Sequence, residues 1–401
     1  MNTTTTPTAI NYDPYDLDLQ RDPYPVFRRM REEAPLYYNE RYDFFAVSRF
    51  DDVESAIKDH ETFSSARGNI LELIKIDMDL PSGVFIFEDP PLHTAHRGLL
   101  SRVFTPKKMS ALEPQIRALC AEVLDPLVGA DRLDFVADLG ARMPMRVIGM
   151  LLGVPVADQE QVRVRKDETL RREPGQPGTF DEDQFADATF FEEYIEWRRD
   201  HPSDDLMTQL IEAEFEDETG TVRSLTREEL LIFVNVLATA GNETTNRVIG
   251  HMGRILADHP DQRRQLVDDR SLIPNAVEEI LRFEPPALQT CRLVTRDIEL
   301  YGQHVPEGST MMLLLAAANR DHRIYPPDGD IFDIHRKITQ HLTFGHGIHF
   351  CLGAALARLE ARIAMDEILS RFPEWEVDWA GAELDSSQVR GWSKLPVHLP
   401  A

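Results

Sequence analysis

Cysteine is scarce in this chain: its 401 residues hold only Cys120, Cys291 and Cys351. Three thiols give no disulfide framework and suit a reducing compartment. Positive charge is also in deficit, with 43 Lys and Arg against 69 Asp and Glu and a formal net charge of −26. Such a balance argues against a nucleic-acid footprint. No run approaches the ~18 apolar residues of a membrane span. Met1-Asn2-Thr3-Thr4-Thr5-Thr6-Pro7 has neither the basic region nor the apolar stretch of a leader. These absences predict a cytoplasmic protein with no membrane anchor and no nucleic-acid partner. Repeats and linkers are missing too, and Pro/Gly-rich material is confined to short spots such as 173–178. What is present is ample apolar content, 42% of residues, enough to bury a large core.

The run Phe344-Gly345-His346-Gly347-Ile348-His349-Phe350-Cys351-Leu352-Gly353 carries the most chemistry. Gly345 and Gly347 allow a tight turn with φ > 0, and Leu352, Ala355, Leu356, Leu359 and Ile363 then recur at helical spacing. Cys351 is therefore expected at a helix N-terminus, where unpaired N–H groups and the macrodipole lower a thiol's pKa and favour an anionic metal ligand. A buried thiol by itself is ordinarily a small apolar core residue, the role expected of Cys120 and Cys291. His346, His349 and Cys351 could also be read as zinc ligands. Structural zinc, however, takes four ligands in paired short spacings, and no second C-x-x-C or H-x-x-x-H accompanies these three.

A long helix is legible upstream. Thr226 and Glu229 form a T-x-x-E capping box, with Leu225 and Leu230 placed as a hydrophobic staple. The pattern predicts a helix from Arg227 to Ala257, ~45 Å long at 1.5 Å per residue, ended by Asp258-His259-Pro260. Residues 230–240 are apolar almost all round and so are expected to be buried. Ala240-Gly241-Asn242-Glu243-Thr244-Thr245 then breaks the local propensity rules, as functional sites do. A glycine there would open room against a flat ligand, a threonine hydroxyl can bond a carbonyl one turn back, and Glu243 could relay protons. The same acid and hydroxyls could equally be paired within a core.

Two further groups matter only in combination. Glu279 and Arg282 lie one helical turn apart before the helix breaker Phe283-Glu284-Pro285-Pro286, and Arg336 closely precedes the cysteine loop. His93 and Arg97 share a helix face, and Arg292 follows Ala287-Leu288-Gln289-Thr290-Cys291. Each alone would be read as an ordinary solvated or structural charge.

Together these runs resemble the cytochromes P450. The cysteine loop matches that family's F-G-x-G-x-H-x-C-x-G pattern at every fixed position, and Ala240–Thr244 is similar to its A/G-G-x-D/E-T motif. The resemblance implies a mainly α fold with a small β-rich part, a helix-rich triangular prism with a long central helix over haem. Residues 1–10 would be a disordered N-terminus and 11–401 one domain. It implies Cys351 as the thiolate on the iron of haem b, and His93, Arg97, Arg292 and His349 as partners of the propionates. Phe344, Gly345 and Gly353 would pack around the porphyrin from the cysteine side, with Ala240 and Gly241 on the other. Glu243 and Thr244 would deliver protons for O–O cleavage, and Glu279, Arg282 and Arg336 would form a buried ionic network.

The function so implied is a monooxygenase that hydroxylates or epoxidises a small hydrophobic substrate. Electrons would come from a separate ferredoxin or flavodoxin and its NAD(P)H reductase, because 401 residues leave no room for a fused one. A basic island drawn from Arg97, Arg102, Lys107, Lys108, Lys337, Arg358 and Arg362 is expected to dock that partner, and the enzyme to be monomeric. By family position Ile70, Leu71, Leu73, Ile74, Val84, Phe85, Leu237, Ala240, Ala287, Leu288 and Trp392 would line the substrate pocket, with a mobile lid over 166–191. A peroxide-using enzyme or a haem-binding sensor on the same fold is the competing expectation. Glu243 and Thr244 argue against both, since neither needs an acid–alcohol pair.

Overall fold

The computed structural model describes residues 10–400 apart from 77, 79, 171–174, 180–190, 218 and 386–388. Most of the expected lid and the stretch 1–9 lie outside the described residues. The five helices that frame the site are α1 (Leu92–Ser101), α2 (Met143–Leu152), α3 (Arg227–Asp258), α4 (Ile273–Phe283) and α5 (Ala354–Arg371). Among the described residues no single helix is long and apolar enough to cross a membrane.

Helix α3 is the axis of the molecule. Its 32 residues span about 48 Å at 1.5 Å each. The predicted capping box starts it: the Thr226 hydroxyl accepts the Glu229 N–H at 3.2 Å and the Glu229 carboxylate accepts the Thr226 N–H at 2.9 Å. Leu225 and Leu230 enter the same buried core. The helix ends one residue later than expected, at Asp258, where His259 caps it and Pro260 opens the next helix. Gly253 is needed for close packing, because a Cβ there would sit 2.5 Å from the Phe135 ring.

The β part is small, as expected. A five-stranded sheet is built from β1 (Leu36–Asn39), β2 (Phe44–Val47), β3 (Phe63–Ser64), β4 (Thr290–Val294) and β5 (Thr310–Leu313), in the order β1-β2-β5-β4-β3. Strand β5 is buried throughout. It pairs parallel to β2, Met311 opposite Phe45, and antiparallel to β4, Met312 opposite Cys291. A separate hairpin joins β6 (Glu383–Asp385) to β7 (Gly391–Lys394) and packs on α3, where a Cβ on Gly250 would meet the Trp392 side chain at 3.3 Å.

Candidate active site

Glycine shapes the cysteine loop. Gly345 and Gly347 adopt φ of 65° and 66°, a region L side chains rarely enter. The chain doubles back, so that the Cys351 N–H reaches the Phe344 carbonyl at 2.8 Å. Helix α5 begins only at Ala354, with Gly353 as its N-cap, so Cys351 precedes the first turn. Burial raises the Cys351 thiol above its usual range, outweighing the Gly353 N–H and the Arg97 and Arg358 guanidiniums that pull it down. This corrects the expectation of a thiol acidified by a helix end. The protein brings the sulfur part of the way, and a bound cation has to supply the rest.

Cys351 opens on a cavity of about 300 Å³. Gly353, Phe344 and His349 line it beside the cysteine, and α3 supplies Leu237, Ala240, Gly241 and Thr244 from across. The Thr244 hydroxyl donates to the Ala240 carbonyl at 2.8 Å, as predicted, and α3 stays helical through it. Gly241 lines the cavity and has a packing role as well. A Cβ there would meet Ile148 of α2 at 3.2 Å, so the missing side chain lets two helices approach. Gly353 does face open space, with nothing within 4 Å of where a Cβ would be.

One end of the site gathers cations and ring nitrogens that, among the described residues, no carboxylate joins by a hydrogen bond or ion pair. His93 and His349 are stacked at a tilt, ring centroids 4.4 Å apart, and the Nε2 atom of each is buried with no partner. Burial, then Arg292, His93 and Arg97, pushes the His349 imidazole down to about 3. Burial brings the Arg292 guanidinium down to about 10, and among the described residues it donates only to Thr290 Oγ1 and the Cys291 carbonyl. Arg97 donates to the Phe350 carbonyl. A buried guanidinium such as Arg292 with no carboxylate bonded to it is unfavourable, so this end fits a ligand bearing carboxylates. A half-buried cysteine opening on the cavity, open space at Gly353 and donors placed for two carboxylates together fit haem b.

The remaining predicted residues divide. Glu279, Arg282 and Arg336 are brought together as expected. Glu279 and Arg282 are wholly buried and joined by two bonds of 2.6 and 2.7 Å, and Arg336 Nε reaches Glu279 at 3.3 Å. Arg282 also donates to the carbonyls of Asn319 and Gly329. Glu243 is buried but is not among the residues lining the cavity. Its carboxylate pairs with Arg247 at 3.3 Å, and Arg247 reaches Asp385 at 2.6 Å and the Trp392 carbonyl at 2.8 Å. His346 turns to Glu54 at 2.9 Å, and no group of three or more His, Cys, Asp and Glu among the described residues could hold a metal ion. That removes the zinc reading.

Of the expected pocket residues, Phe85, Leu237, Ala240 and Ala287 line the cavity. Leu288, Ile70 and Leu71 line a different recess beside Tyr12 and Gln289. Ile74 packs under the five-stranded sheet with Phe44, and Leu73 and Val84 join Phe87 in a small cluster of their own. Trp392 packs on Trp379, centroids 5.9 Å apart, and lines an outer cleft instead. Apolar residues at helical or strand spacing look alike whether they face a core or a cavity. Sequence reasoning also missed Ile148, Arg247 and Glu360. Arg247 stood at i, i+4 from Glu243 and could have been found by that spacing. Glu360 lines the cavity with an unpartnered carboxylate oxygen, and burial raises its pKa well above the usual range.

Comparison with known proteins agrees with this geometry. Residues 181–390 match the family model described as Cytochrome P450. Cytochrome P450 130 of Mycobacterium tuberculosis is 36% identical over 368 residues, 89% of each chain. Cytochrome P450 monooxygenase PikC of Streptomyces venezuelae is 33% identical, over 98% of this chain and 95% of that one. Among solved structures, CYP109E1 from Bacillus megaterium in complex with testosterone superposes with a TM-score of 0.83 at 29% identity, covering 96% of this chain and 99% of that one. With more than half of its length matched by the family model and relatives above 30% identity along nearly all of it, the chain belongs to the cytochrome P450 family, monooxygenases whose haem b is held by a cysteine thiolate.

Proposed function

We propose that Cys351 is the haem ligand and that the enzyme inserts one oxygen atom of O₂ into a small hydrophobic substrate, by hydroxylation or epoxidation. The observation that carries this reading is that Cys351 and Thr244, from opposite walls, line one cavity. Haem, when bound, supplies the oxygen chemistry, and the protein supplies ligation, protons and a dry pocket. His93, Arg97, Arg292 and His349 would hold its carboxylates. Thr244 Oγ1, whose proton rests on the Ala240 carbonyl, would turn that proton into the cavity during turnover, and Glu243, restrained by Arg247 and Asp385, would be the acid behind it. Phe85, Ile86, Ile148, Val236 and Leu237 make the pocket apolar, which supports a hydrophobic substrate. The testosterone held by the Bacillus megaterium relative is a compound of that character.

The acid–alcohol pair sets the test. A positioned proton donor is worth ~10²–10⁴ in rate. Thr244→Ala is therefore expected to keep its haem and its NAD(P)H consumption but to release peroxide in place of product, read by product formed per NAD(P)H oxidised. Full coupling in this variant would remove Thr244 from the chemistry. Turnover driven faster by hydrogen peroxide than by a ferredoxin system would favour the peroxygenase alternative.

Electrons are proposed to come from a separate ferredoxin or flavodoxin and its reductase, to a monomeric enzyme in the cytoplasm. The docking island is narrower than the sequence suggested. Arg358 lies 4.3 Å over the Phe344 ring and is paired with Glu278 at 2.8 Å, and Arg97 lines the cavity. Arg102, Lys107, Lys108 and Lys337 are exposed; Arg102 caps the end of α1, and Lys107 and Lys108 stand on a short helix, Pro106–Ser110, that packs on α5. Reversing Arg102 and Lys108 to Glu is expected to raise the KM for a ferredoxin several-fold, on the order of 1 kcal/mol, with an effect that fades at high salt. An unchanged KM would exclude this face.

A further inference from the structure

The wall segment 83–88 supplies Phe85 and Ile86 to the cavity, yet its only regular structure is one short turn, Phe85–Phe87. A chain of buried polar groups fixes it instead. The Glu88 carboxylate folds back to accept the Gly83 N–H at 2.8 Å, closing the segment on itself. The same carboxylate lies 2.8 and 3.0 Å from His96 Nδ1. His96 stands on α1 and is fully buried, and its Nε2 lies 3.6 Å from Glu229 in the first turn of α3. Glu229 is held in turn by the capping box and by two bonds from Arg223, of 2.7 and 2.9 Å. The His96 ring presents its edge to Phe233 at 5.3 Å, and Phe233 also packs on Phe85 at 5.8 Å. One imidazole thus ties the wall segment, α1 and α3 together.

We propose that Glu88 and His96 are positioning residues that set the shape of the substrate cavity by fixing Phe85 and Ile86 in its wall. The inference rests on reading that cavity as the haem and substrate site. Neither residue is among those lining the cavity, so their influence runs entirely through the wall. Loss of Glu88 leaves a buried imidazole N–H and the Gly83 N–H unpartnered, which buried donors do not tolerate, so the segment has to rearrange to satisfy them. A displaced wall changes affinity for ligands long enough to touch it and leaves alone those that need only the iron.

Two azoles separate these cases on the haem-loaded enzyme by optical titration: imidazole, which needs little more than the iron, and miconazole, whose bulky aryl arms would also have to fit against the cavity wall. In His96→Phe and Glu88→Ala the miconazole Kd is expected to rise roughly tenfold or more, about 1.4 kcal/mol, with imidazole within about twofold of wild type. The double variant should be no worse than the weaker single, because both changes break one linked chain. Glu88→Gln keeps an acceptor for the Gly83 N–H and should give a smaller shift. Unchanged miconazole affinity in the single variants overturns the proposal, and so does equal weakening of both azoles. Should His96→Phe or Glu88→Ala fail to load haem, Glu88→Gln decides, and no shift there counts against the wall clamp. Failure of wild type itself to bind imidazole would instead sink the haem reading.

Discussion

Cys351→Ser is expected to abolish the strongly red-shifted band that a haem-thiolate protein gives when reduced and exposed to carbon monoxide, and monooxygenase activity with it. The serine hydroxyl is a poor substitute for two reasons that the structure separates. It is harder to ionise than a thiol, in a position where burial already raises the thiol's pKa. It is also a hard ligand where thiolate polarisability favours O–O cleavage. Gly345, Gly347 and the 2.8 Å bond from the Cys351 N–H to Phe344 belong to the backbone, so the loop itself should survive the change. The comparison that matters is the reduced carbon monoxide spectrum of wild type and variant at equal protein concentration. A thiolate-type band retained in the serine variant would move the ligand elsewhere in the chain.

The second large effect is expected at Glu279. Its carboxylate is fully buried and answers Arg282, Arg336 and the Asp333 N–H at 2.9 Å. In Glu279→Ala the Arg282 guanidinium is left charged, buried and half-satisfied, a change that costs about 3–5 kcal/mol. Total stabilities are of the order of 5–15 kcal/mol, so the variant should accumulate poorly and carry little haem. The neutral isostere Glu279→Gln should fall between, since it keeps an acceptor for Arg282 but removes the charge. Thermal unfolding and the haem-to-protein ratio measure both. An alanine variant with wild-type loading and melting would show that the network does not hold the cysteine side together.

Legibility in the sequence followed the range of the interaction concerned. The long helix was readable to within a residue because its start is written locally, in Thr226 and Glu229, and its stop in His259-Pro260. The turns at Gly345 and Gly347 were readable for the same reason. Pairings that close through space were readable only where a family pattern supplied them, as for Arg336 with Glu279. The tie from Arg247 to Asp385 spans 138 positions and leaves no local mark. Cys351 failed in an instructive way: helix-end arguments gave the direction of one influence, whereas the packing around the sulfur, invisible in sequence, governs the sum. The pocket wall failed because Leu288 and Leu237 are chemically the same, and only the fold decides which of them meets the cavity.

The central sheet carries a consequence for biogenesis. Strand β5 pairs along its length with β2, Met311 with Phe45 and Leu313 with Val47. Synthesis runs from the N-terminus, so β2 must wait for most of the chain to be made before its partner exists. Pairings this distant in sequence fold slowly and leave strand edges exposed in the interval. Cys351 lies later still, beyond β5. Haem can therefore be captured through Cys351 only after both partners of this parallel pair have been made, and a shortage of haem during rapid expression should leave apoprotein whose sheet has formed while its prosthetic-group site is empty.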